Sequence, residues 1–300
     1  MFSHFPLRVL SRASLLAVFC TFAGTSALAQ TASLQAVEIS FALKAAGADA
    51  RCGQPLGPIG APATLASLRD ARLYVQDIAL INDKGQPTSV KLNASDWQND
   101  QVALIDFEDA TGSCAGGTPA VNTVVTGTVP TGNYNGLTFT VGVPVSQNHT
   151  STELEGAPLD LAAMGWSWQA GRKFIKLEVN PEGGVTKADG SSSPTWFVHL
   201  GSTGCTGNPV TGETVSCMRP NRLPVVLAPF DVTQHQVVLD LNSLFGSSDI
   251  TRDKGAAAGC MSNPADKDCV EVFERLGLSL DTGRELKQGV SPVFSASAKK

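Results

Sequence analysis

Two histidines and a close pair of tryptophans are the residues of this chain best suited to do chemistry. Trp166 and Trp168 stand in Met164-Gly165-Trp166-Ser167-Trp168-Gln169-Ala170-Gly171-Arg172, so two of the four tryptophans fall within three positions. If that segment is extended, alternate side chains share a face, placing both indoles on one aromatic wall and Ser167 on the other side. His149 precedes Trp166 by about 17 residues and His199 follows Trp168 by about 31; imidazole is a general ligand for copper, zinc and iron. The pair makes a metal site only if both histidines reach the aromatic wall. His235, at the polar start of a strand pattern, reads as a hydrogen-bonded structural histidine.

Other chemistries fit the residues less well. Gly165-Trp166-Ser167-Trp168-Gln169 approaches the nucleophile elbow of serine hydrolases but has Gln169 where that turn needs glycine. Asp106, Glu108 and Asp109 supply carboxylates of the kind a glycosidase uses, yet as a run they read as a solvated acidic loop. Neither they nor Asp266-Lys267-Asp268 match a calcium loop, and the latter read as surface acids. The chain has no C-x-x-C-H haem site, phosphate-binding glycine loop or H-E-x-x-H motif.

The elements that must position these residues belong to an exported chain. Arg8 and Arg12 precede an apolar run from Leu15 to Phe22 and the small-residue sequence Ala27-Leu28-Ala29, which reads as a signal peptide over residues 1–29. That run is too short for a membrane span, and no later stretch is long enough. The remainder, about 271 residues, can bury a full core as a single domain over 30–300. Its acidity, with a formal charge of −5 for the whole chain, and its lack of basic clusters argue against nucleic acid. Six cysteines follow the signal: Cys52, Cys114, Cys205, Cys217, Cys260 and Cys269. An even count in an exported chain implies disulfides. Cys205 with Cys217 and Cys260 with Cys269 close the shortest loops and leave Cys52 for Cys114, one of 15 possible connectivities.

Strand patterns recur along the chain. Val37, Ile39, Phe41 and Leu43 alternate; Arg72–Ile81 and Val102–Phe107 follow; 123–129 and 137–143 form a hairpin around Pro130-Thr131-Gly132-Asn133. Phe174–Val179, Trp196–Leu200, Val225–Leu227 and Gln236–Leu241 complete the set, with Phe197 and His199 on the opposite face from Trp196, Val198 and Leu200. Short helical turns are expected at 159–164, 241–245 and 270–276, and 183–194 reads as a polar loop without chemistry. The expected class is all-β: an antiparallel sandwich or barrel-like domain with a few short helices and disulfides.

In order and content the chain resembles the MbnP-type periplasmic copper proteins, the metallo-mystery pair four-Cys motif family. The resemblance is carried by Asp106-Phe107-Glu108-Asp109, Cys114, Asn122-Thr123-Val124-Val125, Gly127-Thr128-Val129-Pro130, Gly136-Leu137, Asn148-His149, Trp166-Ser167-Trp168-Gln169, Lys173-Phe174, His199-Leu200-Gly201-Ser202-Thr203-Gly204-Cys205, Cys217, Gly259-Cys260-Met261 and Cys269. It implies a non-enzymatic copper protein of the periplasm, with the four named cysteines at Cys205, Cys217, Cys260 and Cys269. It also implies copper held by two histidines, His149 and His199, and by the oxygen of a kynurenine made from tryptophan by a di-haem cytochrome c peroxidase-like partner. Trp168 is the first candidate for that oxidation, followed by Trp166 and Trp97. Gly165 and Arg172 depart from the aromatics that the resemblance leads one to expect beside the tryptophan pair. A copper electron-transfer or oxidase component, and a disulfide-stabilised binding module without metal, are the alternatives.

Overall fold

Val37, Ile39, Phe41 and Leu43 are buried along one face of strand β1 (Leu34–Ala45), as their period-2 spacing requires. The structure is a computed structural model in which Met1, residues 33–166, 171–208, 211, 213 and 215–299 are described; the expected signal peptide and Trp168 lie outside the described residues. The chain continues through β2 (Thr64–Asn82), β3 (Val102–Asp106), β4 (Val124–Pro130), β5 (Tyr134–Val141), β6 (Ile175–Pro181) and β7 (Trp196–Leu200). A ribbon of β8 (Thr203–Thr206) and β9 (Ser216–Arg219) follows, then β10 (Leu223–Leu227), β11 (His235–Asp240), helices α1 (Leu241–Phe245) and α2 (Asp268–Leu276), and β12 (Phe294–Ala298). Of the described residues 43% are strand and 8% helical, so the protein is all-β.

Two sheets carry the core. One runs β12-β11-β1-β4, edged by Lys91–Leu92; the other runs β10-β5-β2-β6-β7, edged by Gly259–Cys260. Phe41 of the first sheet meets Phe139 of the second edge to face at 5.7 Å, and Phe294 meets Phe139 at 5.6 Å, so the inner faces interlock through three rings. Most neighbours are antiparallel, but β1 pairs with β11, and β7 with Gly259–Cys260, in parallel. Both parallel pairs join segments far apart in sequence, as parallel pairing demands a long crossover.

Strand β2 organises the second sheet. Its first half pairs with β6, its middle with β3 and its last part with β5. It is buried from Ala71 to Gln76 without interruption, so polar residues in that run have no route to solvent. Helix α1 is capped by the Asp240 carboxylate, which accepts from Ser243 N at 2.6 Å. Helix α2 buries Cys269, Val272, Phe273 and Leu276 at helical spacing and stops at Gly277, whose φ of 82° suits a residue without a Cβ. Disulfides join Cys52 to Cys114, Cys205 to Cys217 and Cys260 to Cys269.

Several expectations need correcting. Asp106 and Glu108 are not a solvated loop: both carboxylates are at 0% exposure against Arg72, whose Nε donates to Asp106 Oδ2 at 2.9 Å and whose Nη2 contacts Glu108. Asp266 and Asp268 are likewise buried rather than superficial, beside buried Asp253. Within the expected loop at 183–194, Val185–Thr186 and Ser192–Ser193 pair as a small ribbon. Gly165 bridges Arg172 in antiparallel fashion, and regular strand begins only at Ile175.

Two outcomes follow. Arg72→Met removes the cation but leaves two buried carboxylates, so urea unfolding should show a loss of about 3–5 kcal/mol. Burial lifts Asp266 from 3.8 to about 6 and Asp268 to about 7, so the folded chain holds protons that the unfolded chain has released. Their contribution to stability therefore falls as pH rises from about 4 to about 7. Melting curves across that range should flatten in Asp268→Asn.

Candidate metal centre

His199 is delivered by β7, where alternation sends Trp196, Val198 and Leu200 into the core and Phe197 and His199 to the other face. Antiparallel register then aligns a row across four strands: Asp106 opposite Arg72, Arg72 opposite Lys176, and Lys176 opposite His199. Beside this row lies Glu178, which accepts from His199 Nε2 at 2.8 Å, from Lys176 at 3.0 Å and from Arg69 at 3.1 Å. Lys176 also binds Asp70, and Asp70 lies 3.3 Å from Arg72, so the ion pairs run unbroken from β3 to β7.

That network decides the chemistry of the imidazole. Burial pushes Glu178 upward, but its hydrogen bond from His199 and the Lys176 charge outweigh burial and hold it at about 2. An ionised carboxylate only accepts, so Nε2 of His199 must carry the hydrogen. Burial also lowers the His199 pKa against the pull of Glu178, which favours a neutral ring. Nδ1 is then the lone-pair nitrogen. Among the described residues it is buried with no hydrogen-bond partner, on a residue at 6% exposure. A neutral imidazole fixed by a carboxylate at one nitrogen and open at the other is the usual form of a metal-binding histidine.

Aromatic rings flank this imidazole. Phe197 lies 5.5 Å from the His199 ring and Trp166 lies 6.4 Å from it, centroid to centroid. Trp166 rests on Gly201, where a Cβ would come within 2.5 Å of the indole and 2.8 Å of Arg172 O. Trp97, by contrast, is bonded into the 95–104 segment, and among the described residues no ring contact joins it to either histidine.

His149 reaches the same turn by another route. It is buried at 6% exposure; Asn148 Nδ2 donates to its Nε2 at 3.0 Å, and Cys217 Sγ lies 3.4 Å from that nitrogen. Asn148 Oδ1 in turn accepts from Arg172 N at 3.0 Å. Gly171 is the residue that permits this approach, since its φ is +80° and a Cβ there would lie 2.7 Å from Asn148 Nδ2. The buried guanidinium of Arg172 locks both sides of the loop. It donates to Leu159 O from Nε and Nη2 (3.2 and 2.9 Å), to Thr150 Oγ1 at 3.1 Å and to Gln147 O. Trp166 N, meanwhile, donates to Gly171 O at 3.1 Å. Trp166 thus borders His199, while Gly171 and Arg172 border the Asn148 that bonds His149. His235 is elsewhere, its Nδ1 accepting from Asp231 N at 2.9 Å.

Glu178, Lys176 and Arg172 are missed by sequence reasoning. Alternation along β6 assigns Lys176 and Glu178 to the face opposite Ile175, Leu177 and Val179, but only pairing reveals that this face is covered. Nothing local marks Arg172 as a buried clamp.

The tautomer is testable. Glu178→Gln keeps an acceptor at the same place and should preserve the Nε2-protonated ring in 15N NMR spectra. Glu178→Leu should lose that signature and weaken metal binding about 10- to 100-fold, the usual effect of losing such a partner.

The chain matches the MbnP family over residues 34–262. It is similar to the solved structure of MbnP from Methylosinus trichosporium, at 47% identity with a TM-score of 0.85, across 89% of this chain and 100% of that one. No curated protein matches.

Proposed function

The chain belongs to the MbnP family, and from that premise we propose that it is a non-catalytic, periplasmic copper-binding protein whose metal is held by His149, His199 and an oxidised tryptophan. Family membership supports the coarser part of this reading, a methanobactin-related, copper-associated protein. The observation that carries the finer part is the lone-pair Nδ1 of His199, buried without a partner among the described residues while Glu178 occupies the other nitrogen. A buried imidazole acceptor left open is costly unless something fills it, which counts against a binding module in which both histidines are structural.

The residues fit copper. Imidazole nitrogen is a good ligand for either copper oxidation state, and the half-buried, aromatic surroundings would shield a bound ion from water. An indole offers no lone pair, whereas ring opening to kynurenine supplies a carbonyl oxygen and an aryl amine. Trp168 remains the first choice for that change, Trp166 the second because its ring lies beside His199, and Trp97 the third. The modifying partner would be a di-haem cytochrome c peroxidase-like enzyme. Among the described residues no helix is long and apolar enough to cross a membrane.

Copper stoichiometry in the exported protein should fall when either His149 or His199 is replaced by Ala and should be unchanged in His235→Ala. Unaltered copper in the double variant His149→Ala/His199→Ala would reject the site. Co-expression with the partner should make one tryptophan peptide about 4 Da heavier, with one oxygen gained and one carbon lost, and Trp168→Phe should abolish that change. Persistence of the mass change in Trp168→Phe would move the modification to Trp166 or Trp97.

A further inference from the structure

The three disulfides differ in their surroundings. Cys52, Cys114, Cys260 and Cys269 are buried in the core, whereas Cys205 and Cys217 are only partly buried. The latter pair lie opposite each other in the β8–β9 ribbon, which joins neither large sheet. A reductant in solution therefore has access to this bridge that the other two deny it. Directly beside it stands His149: its Nε2 is 3.4 Å from Cys217 Sγ, and one ligand atom from each of His149, Cys205 and Cys217 lies within 4.8 Å of the others.

We propose that Cys205, Cys217 and His149 form a redox-gated metal site, closed while the disulfide is intact and open to one soft or borderline ion, such as Cu(I) or Zn(II), when a dithiol has reduced it. The chemistry balances. The dithiol gives two electrons and two protons to the Cys205–Cys217 bond, becoming a disulfide itself, and the metal then displaces the two thiol protons. Disulfide sulfur is a weak ligand, whereas thiolate is a strong one for these ions. Distances agree with the assignment. Bonds of roughly 2.3 Å to sulfur and 2.0 Å to nitrogen, set 3.4 Å apart at their far ends, meet at about 100°, close to the tetrahedral value. Binding at Nε2 replaces the hydrogen bond that Asn148 Nδ2 now donates there.

This site goes beyond the copper centre proposed above and needs neither His199 nor an oxidised tryptophan, though the two share His149. A protein that switches between them would hold metal through different donors in oxidising and reducing surroundings.

The test uses the full exported chain, treated with dithiothreitol under native conditions, freed of it anaerobically and titrated with cobalt(II) alone. Two thiols should appear, at Cys205 and Cys217, with the other bridges intact and circular dichroism unchanged. One equivalent of cobalt should then bind with a thiolate-to-metal absorption band in the near ultraviolet, absent from the oxidised protein. Cys205→Ser/Cys217→Ser should lose the band, and His199→Ala should keep it, which separates this result from the fate of the copper centre. His149→Gln, of similar volume, should bind cobalt more than about tenfold more weakly, since even outer-shell partners are worth that much. The proposal is overturned if the bridge resists reduction until the protein unfolds, if the reduced protein gives no band, or if His149→Gln binds as tightly as the parent.

Discussion

A row of buried charge crosses four strands of this protein and ends at His199. Arg72, at 2% exposure, sits between Asp70, Asp106 and Glu108, and Lys176 links Asp70 to Glu178 across the neighbouring strand. Removing these ions from water is costly, and it is tolerated because each carboxylate faces a cation from an adjacent strand and further hydrogen bonds satisfy the rest. Glu108, for example, also accepts from Ala110 N at 3.1 Å and from Thr118 N at 2.6 Å, which folds the chain after β3 back onto the sheet. Such a row depends on register. A slip of one residue in β6 would turn Lys176 and Glu178 away from their partners and send Ile175 and Leu177 out of the core.

The last member of the row is His199, and the electrostatics of the fold therefore become the chemistry of the site. Glu178 is held as an anion by its hydrogen bond from His199 and by the Lys176 charge, and it fixes the imidazole hydrogen while also pairing with Arg69. The lone pair is on the nitrogen that Glu178 does not hold, in a ring that neighbours Phe197 and Trp166. The sheet supplies a rigid base for one imidazole nitrogen.

His149 is held by different means. It lies in a loop with no strand to define its position, and the Arg172 guanidinium, which contacts Gln147, Thr150 and Leu159, takes the place of a ladder. Five donors in a rigid fork suit this task, since one side chain can satisfy several carbonyls that a buried loop would otherwise leave unpaired. An aromatic at the same position would pack against the loop but could bond none of them. The Cys205–Cys217 bridge closes the other side of His149, so a ribbon outside the main sheets becomes part of its surroundings.

Taken alone, the sequence determined the all-β class, most strand positions, the face on which His199 lies opposite Trp196, and short-loop cysteine pairs that match the bridges in the structure. Each of these depends on local rules: period-2 alternation, turn residues and loop length. Tertiary structure decided which polar residues are buried. Asp106, Glu108, Asp266 and Asp268 look like surface acids because a carboxylate in sequence carries no sign of the cation or carboxylate that a distant strand or loop will bring beside it. Lys176 and Glu178 appear to face solvent for the same reason. The tautomer of His199, the clamp at Arg172 and the contact between His149 and the disulfide all arise between residues 13 to 68 positions apart, and burial gives such contacts their strength by removing the competing water.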